Sequence, residues 1–376
     1  MAAKGGQFDP ALLDKLREQH LLSDFFEKCG VILRRAGGEW IGLSPFNFEK
    51  TPSFTVCDRR GFFHCFSSGQ HGDIFDAVQH FKGLSFSEAV KYLGGEQEVT
   101  PEDRERIQRK RRERDEREKA YRHRMMSRIE RIFDNARPIV GTYGEDYLER
   151  RALTVDPSWT FDLRFVERLP YRGFRDEEVD QTEELGEFPA MLAAIRDVSG
   201  AMIGLHRTYL DSEKPVKLMP PGDRRRNRSK KILGEVTGGM IRLSEIGPRL
   251  AMGDGIETTR AWFEMLKSRA GVTIASAVSL GNMAGASAGS IKHPDDNRKR
   301  VPNGDPDEDR PGVILPPHVE EVILLGDGDS DPPMTRQRLL VAGNRFRAQG
   351  REVSVHMAAK GKDFNDIRIN RAARNA

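Results

Sequence analysis

Leu250-Ala251-Met252-Gly253-Asp254-Gly255-Ile256-Glu257-Thr258 and, further on, Val322-Ile323-Leu324-Leu325-Gly326-Asp327-Gly328-Asp329 decide the fold of this chain. Each is a short apolar run that ends in carboxylates and glycine. Buried parallel strands read this way, and open α/β sheets place their ligands outside the carboxyl ends of such strands. One acid after one strand and an Asp-x-Asp after a later strand can together hold Mg²⁺ or Mn²⁺, hard cations that take oxygen ligands. Two such ions can clamp the attacking and leaving oxygens of a phosphoryl transfer. A third acidic segment, Gly361-Lys362-Asp363-Phe364-Asn365-Asp366, follows the next predicted strand.

Working outward, the C-terminal part reads as strand 249–253, helix 256–267, strand 272–276, strand 321–325, helix 334–348 and strand 352–357. That alternation predicts a parallel sheet with helices packed on it. Residues 285–318 are rich in Pro, Asp, Asn and Gly and read as an insertion too polar for a core, a mobile loop near the site. Asp331 before Met334 reads as a helix cap.

The acidic pairing resembles the Toprim domain of DnaG-type primases, topoisomerases and some nucleases. The resemblance implies Asp254, Asp327 and Asp329 as catalytic acids, and these three with Asp363 as ligands of Mg²⁺ or Mn²⁺. The family's first acid is usually Glu. Asp254 is one methylene shorter and reaches less far.

The chain has 376 residues, enough for two or three domains, with 37% apolar and 32% charged residues. Its net charge of +3 does not by itself mark nucleic-acid binding, so the distribution of charge decides. Three cysteines, Cys29, Cys57 and Cys65, cannot make a disulfide framework, and a reducing cytoplasm is expected. No apolar run is long enough to span a bilayer and no signal peptide opens the sequence, so no membrane partner is expected.

Residues 1–96 read as a small β-rich module. An amphipathic helix is predicted over 10–29, short strands follow, and two helices close the module, the second with Ser85 and Glu88 at capping-box spacing. Ser44-Pro45-Phe46-Asn47-Phe48-Glu49-Lys50-Thr51-Pro52-Ser53-Phe54 and Phe63-His64-Cys65-Phe66-Ser67-Ser68-Gly69-Gln70-His71-Gly72-Asp73 look like the zinc ribbon of DnaG-type primases. By that resemblance the four ligand positions are Ser44, Asn47, Cys65 and Ser68. Three of the four lack a ligand type that zinc favours, so zinc is not expected. A second reading gathers Cys57, His64, Cys65 and His71 into a displaced site. In the family the ribbon contacts single-stranded template, which points to Lys50, Arg59 and Arg60 beside exposed aromatic rings.

Residues 97–135 alternate Arg and Lys with Asp and Glu and predict an exposed helical linker. Residues 136–246 read as a basic α+β subdomain with a hairpin across Asp197–Gly200. Pro189-Ala190-Met191, Gly204-Leu205-His206-Arg207-Thr208-Tyr209-Leu210 and Lys230-Lys231-Ile232-Leu233-Gly234 resemble phage- and plasmid-borne primase-like proteins that carry a Toprim domain over the remainder, 247–376. The resemblance implies that Lys231 faces the active site and neutralises nucleotide or template phosphate, with Lys230, Arg207 and His206 as further candidates.

Together these readings predict a multidomain chain of α+β and α/β parts: ribbon-like domain, basic subdomain and Toprim sheet. The resemblance covers nearly the whole chain and implies a DNA primase of phage or mobile-element type. It would make short RNA primers on single-stranded DNA from ribonucleoside triphosphates. No Gly-x₄-Gly-Lys-[Ser/Thr] loop occurs in these residues, so a separate helicase is the expected motor. Two rivals remain, a weakly catalytic primase-like protein that binds single-stranded DNA, and a Toprim nuclease.

Overall fold

The computed structural model describes residues 8–375, apart from 37–38, 47, 50–51, 66–67, 69, 96–98, 161 and 177–180. The chain divides into two compact units, one of residues 1–121 with 177–181, the other of 122–176 with 182–376.

In the first unit, α1 (Pro10–Gln19) and α2 (Leu22–Lys28) precede β1 (Leu33–Ala36), β2 (Glu39–Gly42), β3 (Phe54–Cys57), β4 (Phe62–Cys65) and β5 (His71–Gly72). The strands form one antiparallel sheet in chain order. The single helix expected over 10–29 is broken. His20 is extended, at φ −119° and ψ 103°, and its Nε2 lies 2.9 Å from the Leu93 carbonyl. Helices α3 (Ile74–Lys82) and α4 (Phe86–Tyr92) follow. Ser85 and Glu88 cap α4 reciprocally, as their spacing predicts. Phe26, Phe54 and Phe63 are fully buried among Leu16, Phe75 and Val78, which makes a core of rings and aliphatic side chains.

Helix α5 (Pro101–Asp134) opens with mixed charge, and near its end Ile129 and Phe133 turn apolar and buried. Next come β6 (Arg137–Pro138), α6 (Tyr143–Arg150), β7 (Leu163–Gly173), β8 (Glu183–Arg196), β9 (Met202–Tyr209) and β10 (Lys230–Gly234). Their sheet is antiparallel, in the order β10-β9-β8-β7-β6. One face carries Met191, Ala193 and Ile195 into a core with Tyr147, Trp159 and Leu163. The other carries Leu192, Ala194, Leu205 and Tyr209 onto Ile129 and Phe133. Successive side chains on a strand point to opposite faces, so each strand serves both cores.

The remainder runs β11 (Ile241–Arg242), β12 (Arg249–Gly253), α7 (Ile256–Glu264), β13 (Val272–Ser276), α8 (Leu280–Ala284), β14 (Ser290–Lys292), β15 (Arg300–Pro302), β16 (Glu321–Gly326), α9 (Pro332–Ala348), β17 (Glu352–Met357) and α10 (Phe364–Asn375). The sheet order is β11-β13-β12-β16-β17, with β13, β12, β16 and β17 mutually parallel and β11 antiparallel at the edge. The insertion at 285–318 differs from the polar mobile loop expected. It contains the β14–β15 hairpin, and Val301, Val313 and Leu315 are buried. Arg345 of α9, only 2% exposed, donates to the carbonyls of Ala284, Ala286 and Asp307 and so satisfies backbone that would otherwise be orphaned. Asp331 caps α9 as expected, accepting from Met334 N at 3.0 Å.

Asp162 joins the two sheets of this unit. It is 1% exposed, and its Oδ1 and Oδ2 accept from Arg196 Nε at 2.8 Å and Arg242 Nε at 2.9 Å. Both arginines reach solvent, so their loss of a partner is cushioned. Asp162→Ala is expected to cost about 2 kcal/mol in urea denaturation. A change below about 0.5 kcal/mol would show that the clamp contributes little.

Candidate active site

Strands β12 and β16 are adjacent and parallel, paired Leu250 to Val322 and Met252 to Leu324. The loops that leave their carboxyl ends therefore carry Asp254 and Asp327 side by side. Strand β17 lies next to β16, and the loop after it carries Asp363. Gly328 N donates to the Lys362 carbonyl at 2.9 Å, and Gly361 N donates to the Gly328 carbonyl at 2.7 Å, which ties the two loops together. A Cβ on Gly328 would stand 2.5 Å from the Ala359 carbonyl oxygen. The middle residue of Asp327-Gly328-Asp329 must be glycine for the loops to close.

Asp327 is the most perturbed acid of this group. Its Oδ2 accepts from Thr258 Oγ1 at 3.0 Å, while Oδ1 is buried with no hydrogen-bond partner. Burial, with the nearby charges of Asp254, Asp363 and Asp329, pushes its carboxyl up to about 7. Burial also raises Asp254, against the pull of Lys230. Asp329 is exposed and accepts from Ser330 Oγ. Asp363 Oδ1 accepts from Asp366 N, and Oδ2 stands 4.0 Å from Arg151.

Of these acids Asp254 feels the charge of Lys230, on the antiparallel sheet. The sequence favoured Lys231, and strand geometry reverses the order. Lys230 pairs with Thr208, and Ile232 pairs with His206, so Lys230, Thr208 and His206 share one face. Lys231 and Arg207 lie on the other. Lys231 Nζ donates to the Arg172 carbonyl and sits 4.4 Å from the centre of the Tyr171 ring. Arg207 donates to Tyr209 Oη and to the Ile232 carbonyl. His206 is buried, and burial followed by Lys230 depresses its imidazole to about 3, which keeps it neutral.

The residue that sequence reasoning missed is Glu257, in the first turn of α7. It is 4% exposed, and its carboxylate takes Lys230 Nζ at 3.1 Å, Lys217 Nζ at 3.3 Å and Tyr147 Oη at 2.6 Å. Burial opposes its charge, and the two lysines overcome that, holding the carboxyl well below its usual range. The same carboxylate lifts Lys230 above its ordinary value against burial, while burial leaves Lys217 lowered. The available signal was Glu257 itself, an acid inside a helix that is otherwise buried from Ile256 to Trp262.

No group of three or more His, Cys, Asp or Glu among the described residues is gathered closely enough to hold a metal ion as it stands. Two observations nonetheless fit a hydrated cation at Asp254 and Asp327. Asp327 Oδ1 lacks a partner, and the carboxylates repel one another. Mg²⁺ characteristically takes one or two carboxylates and keeps its remaining sites for water and phosphate.

In the first unit Arg59 and Arg60 are exposed on the turn between β3 and β4. Lys50, the third expected template contact, lies outside the described residues, as does Asn47. Cys65 is buried with Sγ 3.0 Å from Ser44 Oγ. Cys57 pairs with Phe62 and Cys65 with Phe54, at opposite ends of the β3–β4 ladder. The displaced cluster of Cys57, His64, Cys65 and His71 therefore does not assemble among the described residues.

Residues 8–109 match the CHC2 zinc finger, the zinc ribbon of DnaG. The chain is a relative of the DnaG-type primases. A DNA primase of Haemophilus influenzae is 26% identical over 223 residues, 54% of this chain and 37% of that protein. One from Staphylococcus epidermidis is 39% identical over 88 residues, 23% of this chain and 14% of that protein. This DnaG relative thus spans well under half the length of the curated primases it matches. Residues 123–243 match a domain of unknown function, DUF7146. Among solved structures, the zinc-binding and RNA polymerase domains of Aquifex aeolicus primase align over 98% of this chain and 85% of that one, at 15% identity and TM-score 0.37. A Pseudomonas aeruginosa DNA primase domain aligns over 67% of this chain and 77% of that one, at 12% identity and TM-score 0.36. Likenesses at that score decide nothing about this chain.

The zinc-finger match corrects the expectation of a ribbon without zinc. The domain belongs to a zinc-binding family. The sequence argument weighed residue types at four positions, whereas a structural zinc site needs four donors that any part of the fold can bring together. Among the described residues no helix is long and apolar enough to cross a membrane.

Proposed function

We propose that the second unit is a Toprim-type catalytic centre. In this reading the chain is a DNA primase of phage or mobile-element type, joining ribonucleotides into short primers on single-stranded DNA. One observation carries the proposal: Asp254 and Asp327, half-buried at the ends of adjacent parallel strands, act on each other, and Lys230 acts on Asp254. Acids that repel one another opposite a cation suit a reaction in which a metal-bound phosphate sits between them.

Asp254 and Asp327, with Asp329 and Asp363, would hold Mg²⁺ or Mn²⁺. A cation there supplies Lewis-acid stabilisation of the charge that develops on the transferring phosphate. Lys230 neutralises phosphate oxygens from the opposite side. The Asp254 carboxylate takes the proton from the primer 3′ hydroxyl as that oxygen attacks the α-phosphate and pyrophosphate leaves. Neutral His206 adds no competing positive charge behind Lys230. Arg59, Arg60 and Lys50 would hold template phosphates by charge, as groups that position nucleic acid do. A separate helicase would open the duplex, and the work would take place in the cytoplasm.

The test is primer synthesis by the purified chain on mixed-sequence single-stranded DNA, with ribonucleoside triphosphates and Mg²⁺ or Mn²⁺. Short RNA products that fall about 100-fold in Asp254→Ala are the expected result. Cleavage of the DNA without added nucleotides would replace the reading with a nuclease. DNA binding with neither activity would leave a non-catalytic replication protein, a role that the short reach of Asp254 favours.

A further inference from the structure

We propose that the β14–β15 hairpin grips the phosphate backbone of a nucleic-acid duplex beside the acids, with Lys292 and Arg300 as its contacts. The inference rests on the catalytic reading for what that duplex is, a primer paired with its template. It adds a surface that the catalytic reading leaves unused.

The hairpin is firmly mounted. Val301 of β15 is 1% exposed, and Asn344 Nδ2 of α9 donates to the Gly304 carbonyl at 3.0 Å just beyond the strand. The tip is held by His293, itself buried. Its Nδ1 accepts from Asp295 N at 3.0 Å and Asp296 N at 3.1 Å. Nε2 therefore carries the proton and donates to Asp331 Oδ1 at 2.9 Å. Asp331 caps α9 two residues after Asp329, so the tip is fastened to the end of the Asp-x-Asp loop.

Strand pairing then sorts the side chains. Ile291 pairs with Val301 and Lys292 with Arg300. Directly opposed residues share a face, and Val301 takes the inner one. Lys292 and Arg300 thus stand side by side on the outer face, both exposed. Like charges placed opposite each other destabilise a sheet, and a bound polyanion reverses that cost.

The neighbouring carboxylates do not cancel this charge. Asp296 is taken by Arg298 at 3.0 Å, and Asp331 by His293 and by Lys299 at 3.8 Å. The cleft under the tip is lined by Asp295, Gly328, Arg336 and Lys360. Among the described residues no carboxylate pairs with Lys292, Arg300, Arg336 or Lys360. Four cations therefore stand against Asp295 and Asp329, and the surface keeps positive charge.

Composition selects a duplex over a single strand. Single-strand sites set aromatic platforms beside their cations, on which unpaired bases stack. No Phe, Tyr or Trp occurs from Gly285 to Gly312. Cations without rings read phosphates and leave the bases alone, which suits a helix whose bases are already stacked on one another.

The experiment measures binding of the full chain to a short RNA–DNA hybrid and to single-stranded DNA, by fluorescence anisotropy over a range of salt. The double variant Lys292→Ala, Arg300→Ala is expected to bind the hybrid about 10- to 50-fold more weakly at 0.1 M salt. The slope of log affinity against log salt should fall by about 2, while single-strand affinity stays within about twofold. Lys292→Arg should bind as wild type does. Both side chains are exposed, so the melting temperature should not move. A loss confined to the hybrid supports the grip even where wild type makes no primers, an outcome that sinks only the primase reading. Unchanged hybrid affinity would overturn the grip, as would an equal loss on single-stranded DNA or a wild type that does not bind the hybrid.

Discussion

Asp327→Asn is expected to stabilise the metal-free protein and, in the primase reading, to reduce primer synthesis by about 100- to 1,000-fold. These two opposite effects have one cause. Asp327 is pushed up to about 7 by burial and by Asp254, Asp363 and Asp329. A carboxyl raised on folding makes its ionised form a cost. That cost is absent below the unfolded value of 3.8, grows as the pH climbs toward 7, and is complete above it. Asparagine cannot ionise and still offers an oxygen to Thr258. In chelator at pH 8 the variant should gain roughly 1–3 kcal/mol over wild type, and at pH 4 the gain should vanish. Millimolar Mg²⁺ or Mn²⁺ should then raise the melting temperature of wild type and leave the variant nearly unmoved, since a ligand stabilises only the state that binds it. Thermal melts at the two pH values, with and without metal, test all of this. A variant that is less stable at pH 8, or that keeps wild-type synthesis, would remove Asp327 from the centre of the mechanism.

The parallel sheet was legible because buried strands leave an apolar run in the sequence. Leu250–Met252 and Val322–Leu325 are such runs, and the acids after them mark the sheet edge. Strand β7 was not legible. Leu163–Gly173 alternates buried residues with Arg164, Glu167, Arg168 and Arg172, is interrupted by Pro170, and carries two register shifts against β8. Lys230 and Lys231 show the limit at single-residue scale. A resemblance cannot choose between neighbours, whereas a strand puts them on opposite faces. Glu257 was hidden for a different reason. Its partners Lys230, Lys217 and Tyr147 are far away in sequence, and only the fold brings them to one carboxylate. The insertion at 285–318 misled through composition, because buried Arg345 lets a polar segment pack by satisfying its carbonyls.

Phe26→Ala should cost the first unit about 3–5 kcal/mol, a large share of what a domain of this size holds. Phe26 is fully buried at the centre of the ring cluster, edge-on to Phe54 at 4.7 Å, Phe63 at 5.1 Å, Phe81 at 5.5 Å and Phe25 at 5.6 Å. Its removal deletes buried area and four edge-to-face contacts, and rings held by a sheet and two helices cannot collapse into the gap. The second unit has cores of its own, built from residues of Ile129 and beyond. Calorimetry of the variant should therefore show the transition of the first unit lowered by about 10–30 °C and that of the second unchanged. In the primase reading the same variant should lose template-dependent synthesis while it still binds ATP, because the acids and lysines belong to the second unit. A single transition that shifts as a whole would mean that the two units fold as one.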